Sequence, residues 1–338
     1  MHSLKQFIRR SLASALYYSG ALYLYARLFA KDRVVVLTYH RVLPKDRATA
    51  SFSSPAIVVT PETFEMHMRA LRDWFRPLST RDWLAGNTAG RTCLVTFDDG
   101  WYDNHAYALP VLTRTGVPML LFTATNYIGS RDCFWQETLA ALLYSARGGR
   151  GNGDAKLVLD ELGARELSSL DGAEARAAAL AAVSRVKSRK LNPDHLIARL
   201  REALPPEARG RSAEDRFLTQ EELRAMLKSG VITLGSHSMT HARLPLENDA
   251  VIEAELDGSR DVIHEWTGEP PRTLAYPNGD YDARVVEAAR RAGYQAAFTT
   301  DIGNHVRDSD PLRVRRFNMH EASVNSRPLF LSRLLGLL

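Results

Sequence analysis

The sequence predicts an α/β protein, a distorted (β/α) barrel of seven strands, and three observations carry that prediction. Near-continuous apolar runs recur along the chain, as parallel strands covered on both faces require. Segments of helical periodicity lie between these runs. Titratable residues gather where the runs end, which is where a βα barrel carries its chemistry. The 338 residues leave ample material for one large core. No Gly-rich phosphate loop follows the first run, which argues against an open doubly wound sheet.

Residues 1–30 come first and differ from the rest. Leu4, Phe7, Ile8, Leu12, Ala15 and Leu16 follow helical spacing, with Lys5, Gln6, Arg9 and Arg10 between them. "ALYLYARLF" continues the apolar character, but Ser14, Ser19, Gly20 and Arg27 interrupt it too often for a membrane span. Residues 1–33 hold six cations against Asp32 alone, so they account for the whole molecule's net charge of +5. The remaining chain is balanced, which excludes the basic stripe of a nucleic-acid binder. The segment reads as a membrane-associating helix on an anionic surface. A helix packed on the domain and a signal-anchor that exports it are the alternatives.

The barrel is expected over 31–338, with strands at 33–40, 92–99, 117–125, 232–237, 272–277, 296–300 and 313–320. "PETFEMHMRALRDWF" and "YALPVLTRTG" supply the helices before the second and third strands. "TQEELRAMLKSG" precedes the fourth, and "DARVVEAARRAGY" follows the fifth. Residues 131–216 break this rhythm. They are rich in Ala, Arg and Glu around a Gly-rich joint, and read as a helical insertion between the third and fourth strands. The two cysteines, Cys93 and Cys133, suggest neither a disulfide framework nor a cysteine zinc site, and Cys93 reads as a buried thiol.

Reading the strand ends in turn locates the chemistry. The second ends in Asp98-Asp99, the fourth in His237 and His241, the fifth in "AYPNGDYD", the first in His40 and the seventh in His320. One carboxylate and two imidazoles form a common three-ligand set for catalytic zinc. His237 and His241 are four apart, so one helical turn would put both on the same side. Either motif alone is weak, but together on strands that face each other across a barrel mouth they are strong. Two neighbouring carboxylates can divide the work, one ligating a cation and the other accepting a proton.

"TFDDG" (96–100), "HSMTH" (237–241) and "AYPNGDYD" (275–282) together resemble the polysaccharide deacetylases, the NodB-homology group or carbohydrate esterase family four. The resemblance covers most of 31–130 and 217–320, leaving out the N-terminal helix and the insertion. It implies Asp98 as general base and Asp99, His237 and His241 as ligands of a divalent metal. Zinc suits that donor set, and cobalt, nickel or manganese could occupy it. The resemblance further implies an oxyanion donor in the backbone N–H of Asn278, in a turn with Pro277, while Tyr276 and Trp101 would wall the sugar site. A general acid is also implied. "Leu37-Thr38-Tyr39-His40" resembles the family's acid motif in the rearranged subgroup where that strand comes first, similar to the poly-N-acetylglucosamine deacetylases. His40 is therefore the expected acid and His320 its rival. His67, His105, His195, His264 and His305 are assigned structural places.

The chain departs from the family pattern at one point. The Arg that precedes the fifth-strand motif and orients the base is missing before Tyr276-Pro277, with Arg272, Arg315 and Arg316 as the nearest substitutes. The expected activity is removal of N-acetyl groups from a saccharide, with a lipid-linked sugar or surface glycan suggested by the N-terminus. A deformylase or O-acetyl esterase on the same scaffold is the near alternative, and a non-catalytic glycan-binding module the distant one. No clear cleavage site and no paired cysteines point to the cytoplasmic face of a membrane, with periplasmic export through a signal-anchor as the alternative.

Overall fold

The structure, a computed structural model, describes residues 2–205, 215–306 and 309–337. The chain divides into two units, one of 1–43, 56–130 and 217–338, the other of 44–55 and 131–216.

The first unit is built on parallel strands β1 (Val34–Tyr39), β2 (Thr92–Phe97), β3 (Met119–Thr123), β4 (Ile232–Ser236), β5 (Thr273–Ala275), β6 (Ala296–Phe298) and β7 (Phe317–Asn318). They run in the order β7-β1-β2-β3-β4-β5-β6, and a two-residue strand at Arg76–Pro77 also pairs with β2. Every residue of β1, β2 and β3 is buried, which is why these segments read as apolar runs without alternation. The predicted seventh strand does two jobs. Val314 bridges to Phe298 of β6, and three residues later Phe317 pairs with Leu37 of β1. The sheet thereby curls back on its first strand, and the α/β barrel of seven strands is the observed architecture.

Register aligns the rim. Tyr39 pairs with Phe97, so His40 and Asp98 leave the sheet side by side. Thr123 pairs with Ser236, and the His237 N–H donates to the Thr123 carbonyl at 3.0 Å. Outer helices α3 (Pro61–Trp74), α4 (Leu109–Thr115), α5 (Gln220–Lys228), α6 (Asp249–Thr267) and α7 (Ala283–Arg291) lie between strands. Several starts are capped. Thr219 and Glu222 form a reciprocal capping box on α5, and Thr60 caps α3 ahead of Pro61. His67 of α3 is fully buried, between the Tyr39 hydroxyl at 3.0 Å, the Val324 carbonyl at 2.8 Å and the stacked Phe330 ring.

The N-terminus is two helices rather than one. α1 (His2–Tyr18) and α2 (Ala21–Phe29) meet at Gly20, whose φ of 77° suits glycine. α2 buries Leu22 and Ala26 in the barrel's core, and α1 packs on α8 (Arg327–Leu334) with Tyr17 stacked on Trp74. Both also expose large apolar side chains, with Phe7 67% and Phe29 73% accessible. Among the described residues, no helix is long and apolar enough to cross a membrane.

The second unit has its own core, formed by helices Trp135–Ser145, Gly153–Glu161, Gly172–Arg189 and Pro193–Ala203. It includes 131–216, but also 44–55, which the sequence reading placed in the barrel. Phe52 belongs to this core, with the Arg176 guanidinium over its ring at 4.6 Å. Residues 206–214 of the expected insertion lie outside the described residues.

Candidate active site

The C-terminal ends of β1, β2 and β4 bring His40, Asp98, Asp99, His237 and His241 around one center, and Arg316 reaches it from the residue before β7. Asp98 and Asp99 are adjacent, yet the fold gives them different surroundings. Asp98 is held in a fork by Arg316, whose Nη1 and Nη2 donate to its two oxygens at 2.7 Å each. The same guanidinium donates to Thr96 Oγ1 and the Thr299 carbonyl, so its direction is fixed. Arg316 thus takes the orienting position that the sequence left open between Arg272, Arg315 and Arg316. Arg272 is exposed.

Asp99 faces the imidazoles. Its Oδ1 lies 3.4 Å from His237 Nε2 and 3.7 Å from His241 Nε2. Its other oxygen accepts the Trp101 indole N–H at 2.9 Å. His237 Nδ1 donates to the Ala275 carbonyl at 2.7 Å, which turns Nε2 toward Asp99. One atom from each of Asp99, His237 and His241 lies within 4.8 Å of the others. A carboxylate oxygen and two imidazole nitrogens in one small space suit a divalent cation, so the residues fit the metal their types suggest.

The two histidines do not share a helical turn, as their spacing had suggested. Residues 237–241 form an irregular loop with Ser238 at φ 62° and His241 at φ 59°. Glu255 of α6 accounts for this shape. Its carboxylate accepts the N–H groups of Met239 and Thr240 at 2.8 and 2.9 Å, taking the partners a helix would otherwise supply. Asp99 itself sits at φ 79°, strain located at the carboxylate that faces both imidazoles.

Electrostatics separate the groups. Burial pushes the Asp98 carboxyl upward, but Arg316 and the imidazoles of His237 and His40 outweigh it and hold it below the usual range. Asp99 is likewise opposed by burial and held well down by its hydrogen bond to His237 and by the neighboring His40 and His241 imidazoles. Burial, and then the His237 charge, push His241 down to about 3, so its imidazole is neutral at ordinary pH.

His40 Nε2 stands 3.8 Å from Asp98 Oδ2, and Asn104 Nδ2 donates to the His40 carbonyl at 2.8 Å. His320 lies elsewhere on the rim. Its charged neighbor is Arg333, which together with burial lowers its pKa, and among the described residues it has no ion pair with either aspartate. Asn278 occupies a tight turn after Tyr276-Pro277 with φ 56°. Two expected groove walls need correction. Trp101 is 0% exposed, stacked on Phe217 with the Arg41 guanidinium over its ring at 4.1 Å. Tyr276 is 0% exposed too, its hydroxyl donating to the Leu312 carbonyl, and Pro277 is buried beside it. Neither aromatic ring offers surface to a groove, because each fills the layer under the rim.

Sequence reasoning missed Glu255, the buried Arg41–Asp103 pair and Asn104. The signal was adjacency, since Arg41 follows His40 and Asp103-Asn104 closes the run "DDGWYDN".

The sequence profile of the polysaccharide deacetylase family matches residues 85–166 and 171–297. The match includes both aspartates, both histidines and the Asn278 turn, runs through much of the second unit, and reaches neither His40 nor Arg316. YxkH of Bacillus subtilis (strain 168), provisionally assigned as a polysaccharide deacetylase, is 27% identical over 99 residues, 29% of this chain. That match spans about a third (35%) of the relative's length. Among solved structures, a polysaccharide deacetylase from Bacillus cereus is 20% identical, with a TM-score of 0.58 over 90% of this chain and 69% of that one. The Streptococcus pyogenes deacetylase PplD in complex with acetate is 17% identical, with a TM-score of 0.57 over 90% and 99%. At these identities the structures share the fold.

Proposed function

The chain belongs to the polysaccharide deacetylase family, and from that premise we propose that it is a metal-dependent hydrolase removing N-acetyl groups from a saccharide. The observation that carries this reading is the pairing of an Arg-clamped carboxylate, Asp98, with the Asp99-His237-His241 donor set beside it. A divalent cation, zinc by preference, would supply Lewis-acid polarization of the amide carbonyl and ease ionization of a water. Asp98 accepts the proton of the attacking water, and Arg316 keeps that carboxylate ionized and aimed. His40, rather than His320, delivers a proton to the departing sugar nitrogen, since its Nε2 already faces Asp98. The Asn278 backbone N–H steadies the developing oxyanion.

The substrate we assign is a membrane-associated saccharide, a lipid-linked sugar or surface glycan. The apolar residues exposed along α1 and α2, interleaved with Lys5, Arg9 and Arg27, support this assignment. Removing all of 1–30 would uncover the core under Leu22 and Ala26, so a Phe7→Gln, Ile8→Gln, Leu12→Gln variant is the cleaner test. It is expected to leave the membrane fraction, and unchanged sedimentation would refute membrane association.

For the reaction, acetate release is measured from short N-acetylglucosamine oligomers and polyprenyl-linked N-acetyl sugars. Acetate that needs added metal and disappears in Asp98→Asn is the expected result. Formate from a formamido-sugar lipid, without acetate, would replace the reading by a deformylase. No product from metal-loaded protein would overturn it.

A further inference from the structure

β1 has a second pocket at its other end. This cavity of about 320 Å³ lies between the end of α2, its link into Val34, and the segment carrying Asn304 and His305. Two cations line it, Lys31 and Arg33, against one carboxylate, Asp32. Among the described residues neither cation has a carboxylate within ion-pair distance. Arg33 is half-buried, and its Nη1 donates to the Leu334 carbonyl at 3.0 Å. Burial also lowers the Arg33 pKa, as expected of a desolvated charge lacking a counter-ion. Asn304 Oδ1 and His305 Nδ1 are buried polar atoms with no hydrogen-bond partner. Such atoms are costly unless something else satisfies them.

The surroundings narrow what that something is. Leu28 and Phe29 line the pocket and are 58% and 73% exposed. Ile302 and Val306, close in sequence to the lining residues Asn304 and His305, are 66% and 63% exposed. Two cations and a ring nitrogen line the pocket, and exposed hydrocarbon belongs to both segments that form it, a combination that matches an anionic headgroup carrying its own apolar chains. An asparagine amide can turn to offer its N–H to a phosphate oxygen. We propose that the pocket formed by Lys31, Arg33, Asn304 and His305 receives the phosphate of an anionic membrane lipid, while Leu28, Phe29, Ile302 and Val306 enter the acyl boundary beside it. This rests on the membrane reading of the N-terminal helices and adds a specific contact to it.

The test is flotation of the full chain with phosphatidylcholine vesicles, with and without phosphatidylglycerol. Arg27→Gln, on the preceding helix α2, serves as a charge-matched control. Loss of a surface cation costs about fivefold in affinity for anionic vesicles. Arg33→Gln is expected to cost clearly more than Arg27→Gln, and His305→Gln, which removes no cation at pH 7.5, is expected to weaken anionic binding as well. Asn304→Asp keeps the side chain's size, places a carboxylate in the pocket, and is expected to abolish the preference for phosphatidylglycerol. Equal losses in Arg33→Gln and Arg27→Gln, with His305→Gln and Asn304→Asp like wild type, would overturn the pocket while leaving membrane association intact. Wild type that floats with neither vesicle would overturn both. Thermal stabilization by inorganic phosphate that Asn304→Asp abolishes, without any vesicle preference, would assign the pocket to a soluble phosphate and overturn the lipid.

Discussion

At the C-terminal end of β1, Asp98, Asp99 and His237 are buried and each is answered from within the chain. At its N-terminal end, Leu28 and Phe29 stand in solvent and Arg33 meets a carbonyl instead of a carboxylate. In the first arrangement the chain itself supplies a partner to each carboxylate. Arg316 forks onto Asp98, Trp101 and two imidazoles divide the oxygens of Asp99, and the Ala275 carbonyl orients the His237 ring. For the second we propose a partner outside the chain, because Arg33 meets only a carbonyl and Leu28 and Phe29 are exposed. A buried charge tolerates the interior when its partners are already in place, and an exposed apolar face with unmatched cations is stable in water only at a cost. The difference separates charges partnered within the chain from charges and apolar side chains left to the surroundings.

Substitution at His40 tests the first half of this contrast most severely. His40→Ala is expected to reduce turnover about 10³-fold, a loss of roughly 4 kcal/mol in the barrier, while His320→Ala stays near normal. Equal effects of the two in an acetate-release assay would mean that proximity to Asp98 does not select the acid.

His67 sharpens the contrast from beneath the rim, because it is buried with no counter-charge and must be neutral. Burial pushes it down to about 4 from an ordinary 6.5. The unfolded chain therefore takes up this proton first as pH falls. Stability from His67 is complete above pH 6.5 and drains away toward pH 4, by roughly 3 kcal/mol. Urea unfolding at pH 7 and pH 4.5 should show a shallower pH slope in His67→Gln. An unchanged slope would remove His67 from the account.

Arg316→Lys breaks the fork while keeping the charge. Turnover is expected to fall about 10²-fold. With its clamp weakened, burial carries the Asp98 carboxyl upward, so the acid limb of the pH–rate profile should move to higher pH. A uniform loss at every pH would mean that Arg316 only supports the fold.

The smallest effect is expected at Trp101. Trp101→Phe removes the N–H from Asp99 Oδ2 and frees that oxygen, so zinc affinity measured by chelator competition should drop about tenfold, at the low end for such outer partners. Unaltered affinity would show that the hydrogen bond does not prepare Asp99.

What could be read from the chain follows from how local each cause is. Apolar runs mark β1, β2 and β3 because both faces of these strands are covered. Asp98, Asp99, His237, His241 and His40 stood out because they terminate strands. Arg316 could not be chosen over Arg315, since only the geometry of the last strand decides which of two neighbors faces inward. The loop holding His237 and His241 read as a helical turn because Glu255, which reshapes it, lies on the following helix. Trp101 and Tyr276 read as groove walls because their types suit sugars, whereas the layer beneath the rim needed filling. The break at Gly20 and the allegiance of 44–55 to the second unit depend on contacts that periodicity does not carry.

Arg316 reaches Asp98 across 218 positions of sequence, and the segment that brings it also seals the sheet against the first strand. During synthesis both aspartates and both histidines leave the ribosome long before their clamp exists. An enclosed carboxylate without its cation takes a proton rather than holding its charge. At about 5–20 residues per second the interval lasts several seconds or more. A nascent or truncated chain can thus hold Asp98, Asp99, His237 and His241 and still lack the cation that keeps Asp98 charged.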